Sequence, residues 1–247
     1  MTETAGRPPA AARSRRKPST VLQGVLIGLG LALLVGGFVV MALDYRPYRI
    51  PTGSMSPTLK AGDTVLARQI DGKAVGRGDV VVFRDQAWGG ELMVKRVVAV
   101  GGDTVATTGD DPRLTVNGKP VDEPYLAAQG LQGSAFGVAV PPGRLFLLGD
   151  NRQGSLDSRL HLEIDGGTIS ATEVEARVEA TVLPFGRTGM FTRTAAFDGL
   201  GGSKAGGPGP LEPAFYATVA GAALIVVTCA VGGVAGAVRR LGRRRAG

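Results

Sequence analysis

Between Val21 and Leu43 the chain runs for 23 residues with Gln23 as its only polar side chain. A helix rises 1.5 Å per residue, so about 20 apolar residues cross the hydrocarbon of a bilayer. The hydrophobic core of a cleavable leader is shorter, roughly 7 to 15 residues. The length therefore favours a spanning helix over a removed leader, although Val40-Met41-Ala42 places small residues where a leader cleavage site would want them. A second apolar run, Ala214 to Val238, opens with Phe215 and Tyr216 and is closed by Arg239 and Arg240. Two such runs turn everything between them into a loop that leaves a membrane and returns to it.

Charge placement orients that loop. Residues 1–20 carry five Lys/Arg and one acid, residues 239–247 carry five Arg and no acid, and residues 44–213 carry 18 Lys/Arg and 20 Asp/Glu. The net +7 therefore belongs to the two tails. Basic residues flanking apolar spans stay on the cytoplasmic side, which predicts both termini inside and the near-neutral middle on the extracytoplasmic face. Short Arg clusters also bind nucleic acid, but each cluster here abuts an apolar run, so no nucleic-acid partner is expected. Cys229, the one cysteine, lies in the second apolar run, which excludes an internal disulfide.

The middle reads as strands. Asp79-Val80-Val81-Val82-Phe83, Leu92 to Val100, Leu145 to Leu148 and Val174 to Val182 are rich in β-branched and apolar residues, and Val116-Asn117-Gly118-Lys119 has a tight-hairpin signature. The expected fold class is mostly β, a compact antiparallel-sheet domain between two transmembrane helices. The expected boundaries are a basic tail over 1–20, a span over 21–43, the β domain over 44–198, a Gly/Pro-rich linker over 199–213, a span over 214–238 and a basic tail over 239–247.

The chemistry depends on what could activate a serine. A hydroxyl becomes nucleophilic when a neighbouring base takes its proton, and His161, the sole histidine, is one candidate base. A lysine made neutral by burial is the other. Of the six lysines, Lys17 lies in the tail, Lys60 and Lys73 stand beside turn residues, Lys119 ends a hairpin and Lys204 is in the linker. Lys95 alone sits inside an apolar strand, where period-two alternation places it with Met93, Val97 and Ala99. Desolvation there lowers its pKa towards the range of a working base, and an ion-paired or edge-exposed lysine is the bland alternative. Among the serines, Ser54 and Ser56 of Pro51-Thr52-Gly53-Ser54-Met55-Ser56-Pro57-Thr58-Leu59 both stand close after the first span.

That nonapeptide is followed in order by Gly62-Asp63-Thr64-Val65, Gly78-Asp79-Val80-Val81-Val82-Phe83, Val94-Lys95-Arg96-Val97-Val98, Gly102-Asp103, and Gly149-Asp150-Asn151-Arg152 with Ser155, Asp157, Ser158 and Arg159. The ordered set resembles bacterial type I signal peptidase. The resemblance implies a membrane-bound serine endopeptidase that removes signal peptides from exported preproteins by acyl transfer, cutting after Ala-X-Ala sites with no metal or organic cofactor. It assigns Ser54 as nucleophile, Lys95 as general base, Thr52 to the oxyanion hole, Ser155 to orienting the lysine amine, and Asp157 with Arg159 as a supporting pair. Its partners are signal peptides and the lipid bilayer; Trp88 and Phe136 are candidates for dipping into the leaflet. A self-cleaving repressor would carry a DNA-binding domain in place of the span, and an inactive binding homologue would usually lack one of Ser54 and Lys95.

Overall fold

A computed structural model describes residues 18–71, 74–107, 113–126, 135–201 and 207–245. The basic tail before residue 18, with Lys17, and Lys73 and Lys204 lie outside the described residues. The chain divides into two compact units, residues 40–212 and the pair of segments 1–39 and 213–247.

The second of these units is helical. It is formed by α1 (Pro18–Asp44) and α2 (Leu211–Arg245), apart from the helix ends nearest the β unit. The stretches Thr20–Asp44 and Leu211–Val238 are long and apolar enough to cross a membrane. Small residues let the two backbones approach closely. A Cβ on Gly30 would fall 2.8 Å from Ile225 Cγ1, and one on Gly37 or Gly221 would collide with backbone of the facing helix. Helices pack at glycines in lipid because van der Waals contact replaces the missing hydrophobic drive. Gln23, the one polar side chain of the first apolar run, lies against Gly232.

The other unit is built on antiparallel sheet, with short 3-10 turns between strands. Its strands in chain order are β1 (Tyr45–Arg49), β2 (Thr64–Gln69), β3 (Val80–Arg84), β4 (Leu92–Val100), β5 (Thr104–Thr107), β6 (Thr115–Val116), β7 (Lys119–Pro120), β8 (Phe136–Ala139), β9 (Arg144–Leu148), β10 (Thr168–Ser170), β11 (Val174–Leu183) and β12 (Gly189–Met190). An eight-stranded sheet runs β1-β2-β11-β3-β4-β9-β10, with β12 added to β11, and a smaller sheet runs β7-β6-β5-β8. Every pairing is antiparallel. The expected mostly β, antiparallel architecture is therefore present. The β6–β7 hairpin turns at Asn117 (φ 54°) and Gly118 (φ 74°), the left-handed pair that an Asn-Gly turn supplies.

Three larger apolar clusters, and a small one of Tyr45, Ala180 and Leu211, fill the sheet unit. One, around Val81, Phe83, Val97 and Leu147, lies under the face of β4 that bears Lys95, whose cross-strand neighbour is Val81. Another gathers Val65, Val80, Val82 and Val178 and takes in Met55 and Leu59 from the segment after β1. The third joins Val98, Ala99, Phe146 and Leu148 to the small sheet. Ala99 departs from the alternation read in the sequence: the β4–β9 register slips between Val97 and Ala99, and Ala99 packs with Val98. A bulge adds one residue to one strand and flips the residues beyond it to the other face.

Candidate active site

The segment from Pro51 to Leu59 is a tight turn fastened at both ends and plugged in the middle. Ile50 N donates to Asp63 O at 2.8 Å, and Gly62 N donates to Ile50 O at 2.8 Å, so the neck of the loop is closed. Met55 and Leu59 are fully buried, and Leu59 N donates to Met55 O at 2.9 Å. Burying two such side chains stabilises the turn by roughly 1.5–3 kcal/mol each. Ser54 is thereby held at 8% exposure, next to the anchor Met55. Ser56 N bonds Gly53 O at 3.0 Å, while its hydroxyl turns towards Leu59 O at 3.5 Å, an arrangement that serves the turn itself.

Lys95 comes from the middle of β4, where it is 4% exposed. Its Nζ donates to Ser54 Oγ at 3.1 Å and to Val94 O at 3.1 Å. Thr52 Oγ1 donates to the same Ser54 oxygen at 3.3 Å. Burial lowers the lysine pKa from its ordinary value, opposed by the charge of Asp157. That carboxylate is already engaged, since Arg159 holds it with two bonds of 2.9 Å and Gly149 N donates to it at 3.1 Å. With its acid neighbour matched by an arginine, the amine has burial as the dominant influence on its charge.

The turn Gly149-Asp150-Asn151-Arg152, which comes after β9, ties the serine loop to β4. Asn151 N donates to Ser54 O at 3.0 Å and its Nδ2 to Gly53 O at 3.1 Å. Asp150 receives Thr58 Oγ1 at 2.5 Å and two bonds from Arg96, at 2.8 and 2.6 Å. Arg96 is the residue after Lys95, so one carboxylate links the nucleophile loop to the lysine strand. Sequence alone assigns these residues no role beyond their place in the motif; the signal for Asn151 is its position next to Asp150, which by itself specifies no contact. At Gly149 a Cβ would lie 2.6 Å from Ser54 O and would overlap Ser155 Oγ, so only glycine fits.

Thr52, Ser54 and Lys95 are thus brought together, and Asp157 and Arg159 form a pair beside them. Ser155 is buried next to Gly149, but its hydroxyl has no hydrogen-bond partner among the described residues. His161 is elsewhere employed. Its ring stacks on Trp88 with centroids 4.1 Å apart, and its Nδ1 lies 2.9 Å from Asp157 O. Two surface expectations change as well. Trp88 is buried in the cluster under Lys95, and Phe136 is half-buried and stacked on Phe146, so neither is placed to enter a leaflet. Indole and phenyl rings next to β-branched strands are more stable in a core than in water.

A serine hydroxyl against a desolvated amine, with a second hydroxyl beside it, is the equipment of a serine hydrolase. The model of the family described as signal peptidase, peptidase S26, matches residues 21–183. Signal peptidase I of Mycobacterium tuberculosis is 33% identical over 215 residues, covering 66% of this chain and 73% of its own. Signal peptidase I U of Bacillus subtilis is 33% identical over 184 residues, covering 70% and 92%. A crystal structure of a signal peptidase I from Enterococcus faecalis aligns with 41% of this chain and 94% of its own at 29% identity and a TM-score of 0.34, a score at which it adds no weight. The chain belongs to the signal peptidase family, peptidase S26, and is a serine endopeptidase.

Proposed function

We propose that this protein removes signal peptides from exported preproteins through a Ser54/Lys95 dyad. The observation that carries the reading is the 3.1 Å contact between Lys95 Nζ and Ser54 Oγ at a lysine only 4% exposed. Neutral Lys95 takes the hydroxyl proton as Ser54 Oγ bonds to the scissile carbonyl carbon. The Thr52 hydroxyl, released from Ser54 Oγ, and the Ser54 N–H face the negative oxygen that forms. The lysinium proton passes to the leaving amine, and Lys95, neutral again, then deprotonates the water that frees the acyl group from Ser54. Ser155, whose hydroxyl has no hydrogen-bond partner among the described residues, orients the lysine amine as the reaction proceeds, and the Asp157–Arg159 pair fixes the turn that carries this serine.

An extended peptide has a place to lie. β9 pairs with β4 only from Arg96 onward, so among the described strands Leu92, Met93 and Val94 have β3 on one side and no partner on the other. Backbone pairing along that edge would deliver a carbonyl to Ser54, with alternate side chains of the substrate facing the protein. Alternation of this kind suits a preference for small residues at the first and third positions before the bond, as in Ala-X-Ala. The two apolar helices with basic residues outside them support a multi-pass membrane protein with both termini cytoplasmic and the sheet unit extracytoplasmic. On this reading residues 1–20 and 239–247 are cytoplasmic tails, 21–43 and 214–238 the spans, 44–198 the peptidase domain and 199–213 the linker.

The test is cleavage of a preprotein whose signal peptide ends in Ala-X-Ala by the detergent-solubilised full chain, with amino-terminal sequencing of the product. The expected result is a cut after the second Ala by the wild type and none by Ser54→Ala or Lys95→Ala. Cleavage surviving in Lys95→Ala would contradict the dyad.

A further inference from the structure

His161, the rival candidate base, is held by two contacts that the acyl-transfer scheme does not use. One is with backbone. Its Nδ1 lies 2.9 Å from Asp157 O, and a carbonyl oxygen only accepts, so Nδ1 carries the proton and donates. The other is with an indole: the imidazole lies flat on Trp88, the planes 8° apart and the centroids 4.1 Å. The short turn between Asp157 and His161 is itself braced, since His161 N donates to Ser158 O at 3.2 Å and Leu147 N to Ser158 Oγ at 2.8 Å.

Both partners of the imidazole lead to Lys95. Trp88 closes the 3-10 turn Gln86–Trp88 ahead of β4, which Asp85 caps by accepting from Ala87 N at 2.8 Å and Trp88 N at 3.2 Å. Its indole packs in the apolar cluster under the Lys95 face, edge-on to Phe83 at 5.8 Å and in the same cluster as Met93. Trp88 Nε1 is buried with no hydrogen-bond partner among the described residues, so packing alone positions this ring. Asp157 is the other route. Its carboxylate is the charge that opposes burial at Lys95, and its backbone oxygen is the atom that His161 holds. Arg159 is paired with that carboxylate, Arg96, the next residue of β4, is matched by Asp150, and the cluster beneath is apolar.

We propose that His161 is a positioning residue for the dyad: its ring roofs Trp88, its N–H pins Asp157, and together they keep water and a looser carboxylate away from the Lys95 amine. Only the effect on rate rests on the peptidase reading. Removing the imidazole opens the indole to water and frees the backbone at Asp157. Both changes favour the charged amine, the first by restoring hydration and the second by letting the carboxylate approach. The lysine then keeps its proton to higher pH, and the site loses its base where the wild type still has one. The histidine does this as a flat plate with a fixed donor, without exchanging a proton with substrate.

Two measurements on the full chain in detergent test this. With lysine isotope-labelled at Cε, the Lys95 resonance, identified by its absence in Lys95→Met, reports protonation of the amine directly. His161→Ala is expected to raise its titration midpoint by about one pH unit. His161→Phe, which keeps a plate on Trp88, should raise it less. On a soluble Ala-X-Ala peptide the acidic limb of kcat/KM should move with the midpoint in each variant, so that His161→Ala loses about tenfold below the wild-type limb and nothing on the plateau above it. An unmoved midpoint in His161→Ala would overturn the proposal. So would a rate lowered by one factor at every pH with the limb in place, which is what a purely structural contact would give, and so would His161→Phe titrating like His161→Ala, since the plate would then be irrelevant. A wild type inactive on the peptide would count against the peptidase reading, while the lysine titration would still decide what His161 does.

Discussion

Lys95 is buried within a strand, and its amine has a serine oxygen and a carbonyl for company. The folded protein disfavours its charged form, so between the lowered folded pKa and the ordinary 10.5 the unfolded chain binds the extra proton. Stability therefore rises with pH across that window, and the penalty is fully present below the folded value. Chemical unfolding of wild type and Lys95→Met from pH 7 to 10 should show Lys95→Met the more stable at the low end, with the gap narrowing as pH rises. A gap that widened with pH would mean that the folded protein favours the lysinium. Thr52 offers a second measurement at this scale. Removing its hydroxyl as Thr52→Val should cost about 10²–10³ in kcat with little change in KM, as for other single oxyanion donors, and Thr52→Ser should restore it. The sequence made Lys95 conspicuous because it is the one lysine in an apolar run, and the resemblance supplied the Asp157–Arg159 pair; what neither could show is that this pair sits beside Lys95 with burial as the larger influence on the amine.

At the scale of elements, the active site is an agreement among three segments: the turn after β1, the strand β4 and the turn after β9. Asp150 and Asn151 join the three, and Gly149 permits their closeness. Gly149→Ala places a methyl against Ser54 O and Ser155 Oγ, so kcat should fall by at least tenfold while β-sheet circular dichroism is retained; wild-type kcat would show that the turn yields without disturbing Ser54. The long strands β3, β4, β9 and β11 were legible because β-branched runs in a pleated, buried sheet are their own signal. β1 was not, since Tyr45-Arg46-Pro47-Tyr48-Arg49 carries a proline and two arginines, and only its place at the sheet edge tolerates them. The slip after Val97 and the burial of Trp88 were equally hidden, because both arise from packing between segments far apart in sequence. The order of motifs indicated which residues meet; it carried nothing about Asn151 bonding the serine loop or Ser155 having no hydrogen-bond partner among the described residues.

For the molecule as a whole, the helical unit and the sheet unit call for separate tests. Gly30, Gly37 and Gly221 bring α1 and α2 close enough that larger side chains cannot enter. Gly221→Leu should therefore lower the thermal midpoint of the full chain in detergent by several degrees, with turnover of a soluble peptide unchanged below the transition. An unaltered midpoint would show that this contact contributes nothing measurable.

The claim on which the rest depends is that Lys95 is the base. In a Cys229→Ser background, Lys95→Cys should be inactive, and alkylation with 2-bromoethylamine should restore a lysine-like amine whose sulfur makes it less basic. Activity should then return, and the acidic limb of the kcat/KM profile, where the base gains its proton, should move to lower pH than in the wild type. A limb that stays where the wild type has it, or full activity before alkylation, would show that some other group takes the proton from Ser54.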